Sequence, residues 1–202
     1  MANLIDQQIY EIPLVFLQGD RDPEGPAKEA ATKLGNLLNK EGWGVSLGAY
    51  GGFVKVLEDT GVACICHETE IKDHGDVKFK TSPYINFGPT ADAVITTLGG
   101  GVFEKCKKMT SWSNRLAIWA SLSKSYCFFA GREGTLAHLI PILTYNVKGW
   151  GKEGNFRNIA LLGWEIETVA LIMKLYGLHK DTTWFQFFGL HQVDDAINFL
   201  IS

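Results

Sequence analysis

The sequence predicts an α/β protein with a doubly wound parallel sheet flanked by helices, formed by a single domain over residues 1–202. Short apolar runs alternate with amphipathic runs, which is the pattern of strands connected by crossover helices. Glycine-rich turns follow three of the predicted strands, as expected where a strand ends and a helix begins. The length and the 46% hydrophobic content are sufficient for a substantial core.

The first half of the chain is predicted to contain three strands (12–17, 45–47 and 62–66) and two helices (27–38 and 53–60). Residues 12–17 are continuously apolar, which is typical of a parallel strand buried on both faces. Apolar residues recur every three or four positions from Ala27 to Leu38, and Gly42 ends this helix. Residues 68–83 are polar and aperiodic, so we expect a surface excursion there.

The second half is predicted to continue the alternation, with strands at 92–97, 126–129, 158–162 and 184–188 and helices at 105–121, 136–145, 165–176 and 193–201. The strand at 92–97 is predicted from its β-branched residues. The final helix is predicted to begin beside a cap at Gln192.

Composition excludes several classes of partner. The net charge of −3 and the pI near 5.9 argue against a nucleic-acid polymer or an anionic membrane as ligand. No apolar run is long enough for a membrane span or a signal peptide, so we expect a cytoplasmic protein. Cys64, Cys66, His67 and His74 could suggest zinc, but alternating cysteines on an apolar strand favour core packing, and no metal site is predicted.

The segment from Ala130 to His138 carries the strongest functional signal. Its glycines interrupt an apolar strand just before a helix, so unpaired backbone N–H groups and the helix dipole would favour an anion such as phosphate. Arg132 adds a guanidinium whose fork suits phosphate. The alternative is a tight turn with Thr135 as the helix cap. Because the turns at Gly19 and Gly48 also follow strands, all three should meet at one edge of the sheet, which favours the anion site.

Two features separated by fifteen residues resemble the hallmark of the LOG (Lonely Guy) proteins: Arg115 and the run Gly131-Arg132-Glu133-Gly134-Thr135-Leu136-Ala137-His138. The family's hallmark ends in P-G-G-x-G-T-x-x-E. LOG proteins belong to the SLOG group of Rossmann-like nucleotide-binding proteins. Residues 30–38 resemble the family's A-A-x-x-L-G-x-x-L-A helix. Residues 48–54 resemble the G-G-Y-G-G turn of a subgroup described as molybdenum-cofactor carriers. The resemblance extends over most of the chain.

The resemblance implies a Rossmann-like homodimer or higher homo-oligomer that binds a nucleoside monophosphate or a related ribosyl phosphate, with no further cofactor. The family's best-known activity is hydrolysis of the N-glycosidic bond of a nucleoside 5′-monophosphate. The residues expected to contact the ligand lie at the glycine turns and beside Arg115: Gly19, Asp20, Arg21, Gly48, Tyr50, Gly51, Gly52, Asn114, Gly131, Arg132, Gly134 and Thr135.

The candidate catalytic residues are Arg115, His138 and Glu133, and the sequence departs from the family among them. His138 occupies the position of the motif glutamate, and Arg132 that of a glycine. Histidine can act as a general base but cannot supply the fixed negative charge that a ribosyl cation favours. Glu133 is the candidate replacement. Arg115 could also be a solvated arginine on a helix face, and His138 a helix-facing histidine one turn into the helix. A hydrolase, a non-catalytic nucleotide sensor or carrier, and a structural oligomer with a vestigial site therefore stay open.

Overall fold

The computed structural model describes residues 12–20, 23–48, 53, 56–57, 59–67, 72–73, 77–78, 85–86, 123–149, 151 and 154–202. The strands in these ranges are β1 (Leu14–Gln18), β2 (Gly44–Gly48), β3 (Cys64–His67), β4 (Lys72–Asp73), β5 (Val77–Lys78), β6 (Ile85–Asn86), β7 (Ser125–Phe129), β8 (Ile159–Leu162) and β9 (Phe185–Phe188). The long helices are α1 (Gly25–Lys40), α2 (Glu133–Lys148), α3 (Ile166–Tyr176) and α4 (Val193–Ile201).

The main sheet has seven strands in the order β6-β3-β2-β1-β7-β8-β9. In this order, each strand from β3 across to β9 is parallel to its neighbour. The strand β6 pairs antiparallel with β3 at the edge. The first strand, β1, lies at the centre, where Phe16 pairs with Ser46 of β2 on one side and with Tyr126 of β7 on the other. Because the chain adds strands outward from β1 in both directions, the predicted doubly wound, Rossmann-like fold is confirmed.

Each face of the sheet carries its own hydrophobic layer. Side chains alternate along β1, so that Val15 and Leu17 pack with α1 and α4 whereas Phe16 packs with α2 and α3. Both layers are fully enclosed at the central strands, which explains why these strands are continuously apolar in sequence. Within the described residues, no helix is both long and apolar enough to cross a membrane.

Three differences from the predicted elements are informative. The α2 helix begins at Glu133 rather than at residue 136, and the prediction missed this start because Glu133 and Gly134 are exposed and contribute no apolar periodicity. The segment 68–83, expected to be irregular, contains the short antiparallel pair of β4 and β5. The predicted strand 92–97 and helix 105–121 lie outside the described residues. The predicted helix 53–60 lies partly outside the described residues. The other predicted strands and helices agree with the structure to within a few residues at each end.

Candidate anion site at the carboxyl edge of the sheet

The candidate site lies at the end of β1, the strand from which the chain adds parallel strands outward on both sides. Gly19 directly follows β1, Gly48 is the last residue of β2, and Gly131 lies two residues beyond β7. Since β2 and β7 are the two neighbours of β1 and run parallel to it, the three turns share one edge. This edge, at the reversal of strand order, is where open α/β sheets bind ligands.

Two contacts join the first turn to the third. The Thr135 hydroxyl donates a hydrogen bond to the Gly19 carbonyl at 3.2 Å. A Cβ built on Gly131 would lie 2.9 Å from the Cβ of Thr135 and 3.2 Å from the backbone nitrogen of Asp20. Only a glycine fits between these groups, so Gly131 allows the start of α2 to approach the end of β1.

Phe53 packs against the first turn from the other side. A Cβ on Gly19 would lie 2.6 Å from the Phe53 ring and 2.8 Å from the Cβ of Phe129. The Phe53 and Phe129 rings are themselves in contact, with centroids 5.1 Å apart. Phe53 was not among the predicted site residues, although an aromatic residue directly after two glycines is the sequence signal that could have indicated an anchor.

The first turn of α2 presents backbone donors at this edge. Arg132 is the extended N-cap residue, and its carbonyl accepts from the amides of Thr135 and Leu136 at 2.9 and 3.2 Å. Within the described residues, this leaves the amides of Glu133 and Gly134 without a backbone carbonyl partner, at the positive end of a 16-residue helix. The alternative in which Thr135 caps the helix is therefore wrong, because the helix starts two residues earlier.

Gly134 differs from the other two glycines in its surroundings. A Cβ built on Gly134 would meet no atom of the described residues within 4 Å, so their packing does not require a glycine here. A glycine inside a helix costs about 0.5–1 kcal/mol relative to alanine. Because Gly134 has no side chain, its backbone and the neighbouring amides without carbonyl partners are open to a ligand as far as the described residues are concerned.

Charges of both signs surround the helix start. The Arg132 side chain is 82% exposed, and its Nε lies 3.9 Å from a carboxylate oxygen of Asp20. Glu133 is an exposed acidic residue in the first turn of α2. An exposed pair at this distance contributes little stability, so the guanidinium can leave Asp20 for another anion at low cost.

His138 is only 3% exposed and lies beneath the turn rather than on its surface. Its Nδ1 is 2.8 Å from the Gly134 carbonyl, and because a carbonyl only accepts, the Nδ1 atom carries the proton. The ring also contacts Phe16, with centroids 6.1 Å apart. Thr135 is buried as well, and its hydroxyl is directed to Gly19.

The structure thus brings together Gly19, Asp20, Gly131, Arg132, Gly134 and Thr135, with Glu133 and His138 in the same helix. Gly48 ends β2 at the same edge of the sheet. The remaining predicted residues lie outside the described residues: Arg21, Tyr50, Gly51, Gly52, Asn114 and Arg115. Cys64 and Cys66 lie on β3, as predicted. In the described ranges, no three His, Cys, Asp or Glu side chains are grouped so that they could hold a metal ion.

Solved structures with the same fold include two of the molybdenum cofactor carrier protein from Chlamydomonas reinhardtii. They have TM-scores of 0.53 and 0.56, share 17% and 18% sequence identity, and match 95% of this chain and 98% and 99% of that protein. The protein TM1055 is similar over 93% of this chain and 99% of its own, with a TM-score of 0.53 and 10% identity.

The DNA processing protein A from Helicobacter pylori, described as binding single-stranded DNA, matches 96% of this chain and 83% of its own, with a TM-score of 0.51 and 14% identity. No protein-family model and no curated protein sequence matches the chain. At these identities the similarity shows a Rossmann-like fold and does not identify a ligand.

Proposed function

We propose that the protein binds a small phosphorylated ligand, a nucleoside monophosphate or a related ribosyl phosphate, at the start of α2. The observation that carries this proposal is the open first turn of α2 at the reversal of strand order. Among the described residues, the amides of Glu133 and Gly134 have no backbone carbonyl partner there, and no atom lies within 4 Å of a Cβ built on Gly134. Backbone amides at a helix N-terminus are well suited to phosphate, and Arg132 adds a mobile positive charge.

We also propose that the chain is a divergent relative of the LOG and SLOG proteins. The support is the motif from Gly131 to Thr135, which occupies the strand-to-helix turn that a phosphate loop requires. The molybdenum cofactor carrier protein has the same fold, and its name describes it as the carrier of a small molecule. This is compatible with a carrier role for the present chain. Cytoplasmic location and homo-oligomeric assembly belong to this proposal too.

A non-catalytic carrier or sensor is the version that the described residues favour. His138, at the position of the family glutamate, is buried, and its Nδ1–H is directed to the backbone of its own helix. A general base must reach the substrate or its water, which a side chain that is 3% exposed does not do in this arrangement. In the hydrolase version, Arg115 would hold the ribosyl phosphate and Glu133 would supply the carboxylate.

Binding is tested by titrating the protein with adenosine monophosphate, ribose 5-phosphate and inorganic phosphate in a calorimeter. We expect Arg132→Gln to weaken binding of the monophosphate about tenfold, because a charged hydrogen bond to phosphate contributes roughly 1.5 kcal/mol. Lys148→Gln is the matched control, since it removes an exposed positive charge from the other end of the same helix. Equal affinity in the two variants, or no binding to the unmodified protein, would contradict the proposed site.

Catalysis is tested separately by incubating the protein with a panel of nucleoside monophosphates and measuring the free base by chromatography. Binding without release of base supports the carrier or sensor. Release of base that is lost in Arg115→Ala supports the hydrolase. If His138→Glu gains hydrolysis, the remaining site is competent and only the carboxylate is missing.

A further inference from the structure

The outer face of α3 is unusually apolar for a helix at the surface. Val169 and Ile172 are buried in the layer against the sheet. The opposite face exposes six residues: Ile166, Glu167, Ala170, Leu171, Lys174 and Leu175. The three large apolar side chains on this face are 57–68% exposed. An exposed helix face normally carries polar and charged residues, whereas Glu167 and Lys174 are the only charges in α3.

These six residues are arranged symmetrically about the middle of the helix. The midpoint of the face lies between Ala170 and Leu171. Glu167 and Lys174 are equally far from it on opposite sides, and so are Ile166 and Leu175. At 100° per residue, Glu167 and Lys174 also lie near the centre line of the face, while Ile166 and Leu175 lie on its two flanks.

An antiparallel copy of the same helix would complement this face. A two-fold axis through the midpoint places Glu167 of one chain in the same layer as Lys174 of the other, and repeats the pair on the opposite side of the axis. The small Ala170 side chain of each chain then packs beside Leu171 of the other chain at the axis. Ile166 and Leu175, on the flanks of the face, cover the two ion pairs. A parallel copy would instead place like charges in the same layer.

We infer that the outer face of α3 is a homodimer interface in which two copies of α3 pack antiparallel about a two-fold axis. The occupant is a second copy of this chain because the charges of the face complement the face itself. The inference is independent of ligand binding, since α3 contributes none of the residues at the start of α2.

The size of the helix sets the expected strength of the dimer. Eleven residues extend for about 16 Å, so the α3 pair alone buries less than the roughly 800 Å² per partner of a standard interface. The assembly should therefore be reversible, with dimers increasing from low to high micromolar protein concentration in sedimentation velocity. A chain that stays monomeric throughout this range would overturn the inference.

A charge swap tests the geometry. Glu167→Lys places lysine opposite Lys174 at both ion pairs, and we expect dimerisation to weaken by about tenfold or more because like charges then meet in the interface. Lys174→Glu should have a similar effect. The double variant Glu167→Lys/Lys174→Glu restores opposite charges and should dimerise like the unmodified chain. Glu29→Lys, on the exposed surface of α1, is the control for a change in net charge.

Each outcome distinguishes the interface from its alternatives. Dimers that are unaffected by the single charge reversals must use another surface, and failure of the double variant to recover would exclude antiparallel pairing. Thermal unfolding of each variant at low concentration verifies that the fold is retained. Ala170→Cys gives a second measurement, because residue 170 lies beside its own copy across the axis. Mild oxidation should produce a covalent dimer that Glu29→Cys does not give, and equal yields from the two would contradict the inference.

Discussion

Gly131 and Gly134 are three residues apart, yet packing requires a glycine only at position 131. The space around Gly131 is filled by Thr135 and by the backbone of Asp20, whereas no described residue occupies the space above Gly134. An alanine at 131 would therefore disturb packing between α2 and β1, and an alanine at 134 would obstruct only a ligand.

The two alanine variants should consequently separate stability from binding. We expect Gly131→Ala to lower the free energy of unfolding by about 1–3 kcal/mol through overpacking. Gly134→Ala should leave stability unchanged or raise it by up to about 1 kcal/mol, because alanine favours the helix. It should nevertheless weaken phosphate binding. Urea unfolding and calorimetric titration measure the two effects, and unchanged binding in Gly134→Ala would show that the ligand does not approach this backbone.

Thr135 connects two elements through one hydrogen bond, since its buried hydroxyl donates to the carbonyl at the end of β1. Thr135→Val keeps the shape of the side chain but leaves the Gly19 carbonyl without this donor. We expect a loss of about 1 kcal/mol in urea unfolding, and weaker phosphate binding because the start of α2 is less firmly held. Thr135→Ser should retain most of both properties.

The matched control at the scale of elements is Thr32→Val. The Thr32 hydroxyl donates to the Lys28 carbonyl within α1, so its loss breaks no connection between elements. If Thr32→Val and Thr135→Val change ligand affinity equally, the hydrogen bond to Gly19 does not position the site.

The strands and helices near the centre were predictable because their physical signals are local. Buried parallel strands such as β1, β7 and β8 appear in the sequence as continuous apolar runs, and α1 and α4 appear as repeated apolar stripes. The first turn of α2 was missed because Glu133 and Gly134 are exposed and carry no apolar signal. The burial of His138 depends on Phe16 and on the Gly134 carbonyl, and the position of Phe16 relative to α2 is a tertiary fact that residue spacing does not contain.

At the scale of the whole molecule, two interior groups among the described residues resist ionisation. Burial raises the pKa of the Tyr126 hydroxyl above its ordinary value, although Arg157 opposes this with its charge and a hydrogen bond. The Arg157 Nη1 donates to the Tyr126 oxygen at 2.9 Å and to the Ser123 carbonyl at 2.7 Å. Burial likewise raises the pKa of the Cys127 thiol on the same strand.

These shifts predict the pH at which the protein loses stability in alkali. A group with a raised pKa in the folded state stabilises the protein fully below its unfolded pKa, and the contribution is lost as pH rises toward the folded value. The free energy of unfolding should therefore decline from about pH 8.5, where an unfolded thiol ionises, and more steeply above about pH 10, where unfolded tyrosine ionises.

Tyr126→Phe isolates the contribution of the tyrosine. It should reduce stability at neutral pH by about 1 kcal/mol, because Arg157 loses an acceptor, and should flatten the decline above about pH 10. Chemical unfolding across this pH range measures both effects. Tyr145→Phe, at an exposed position in α2, is the control, and an equally flattened curve for it would contradict the assignment to Tyr126.

The hydrogen bond from Thr135 to Gly19 joins residues that are 116 positions apart in the chain. A contact of this sequence separation cannot form until β7 has docked beside β1, and closing such a long loop is a slow, entropically costly event in folding. During synthesis, the first 130 residues can include β1 and the first glycine turn but contain no residue of α2. If the proposed site binds phosphate, its competence to do so therefore arises late, after β1 and β7 have paired, and ligand binding would report that this part of the fold has formed.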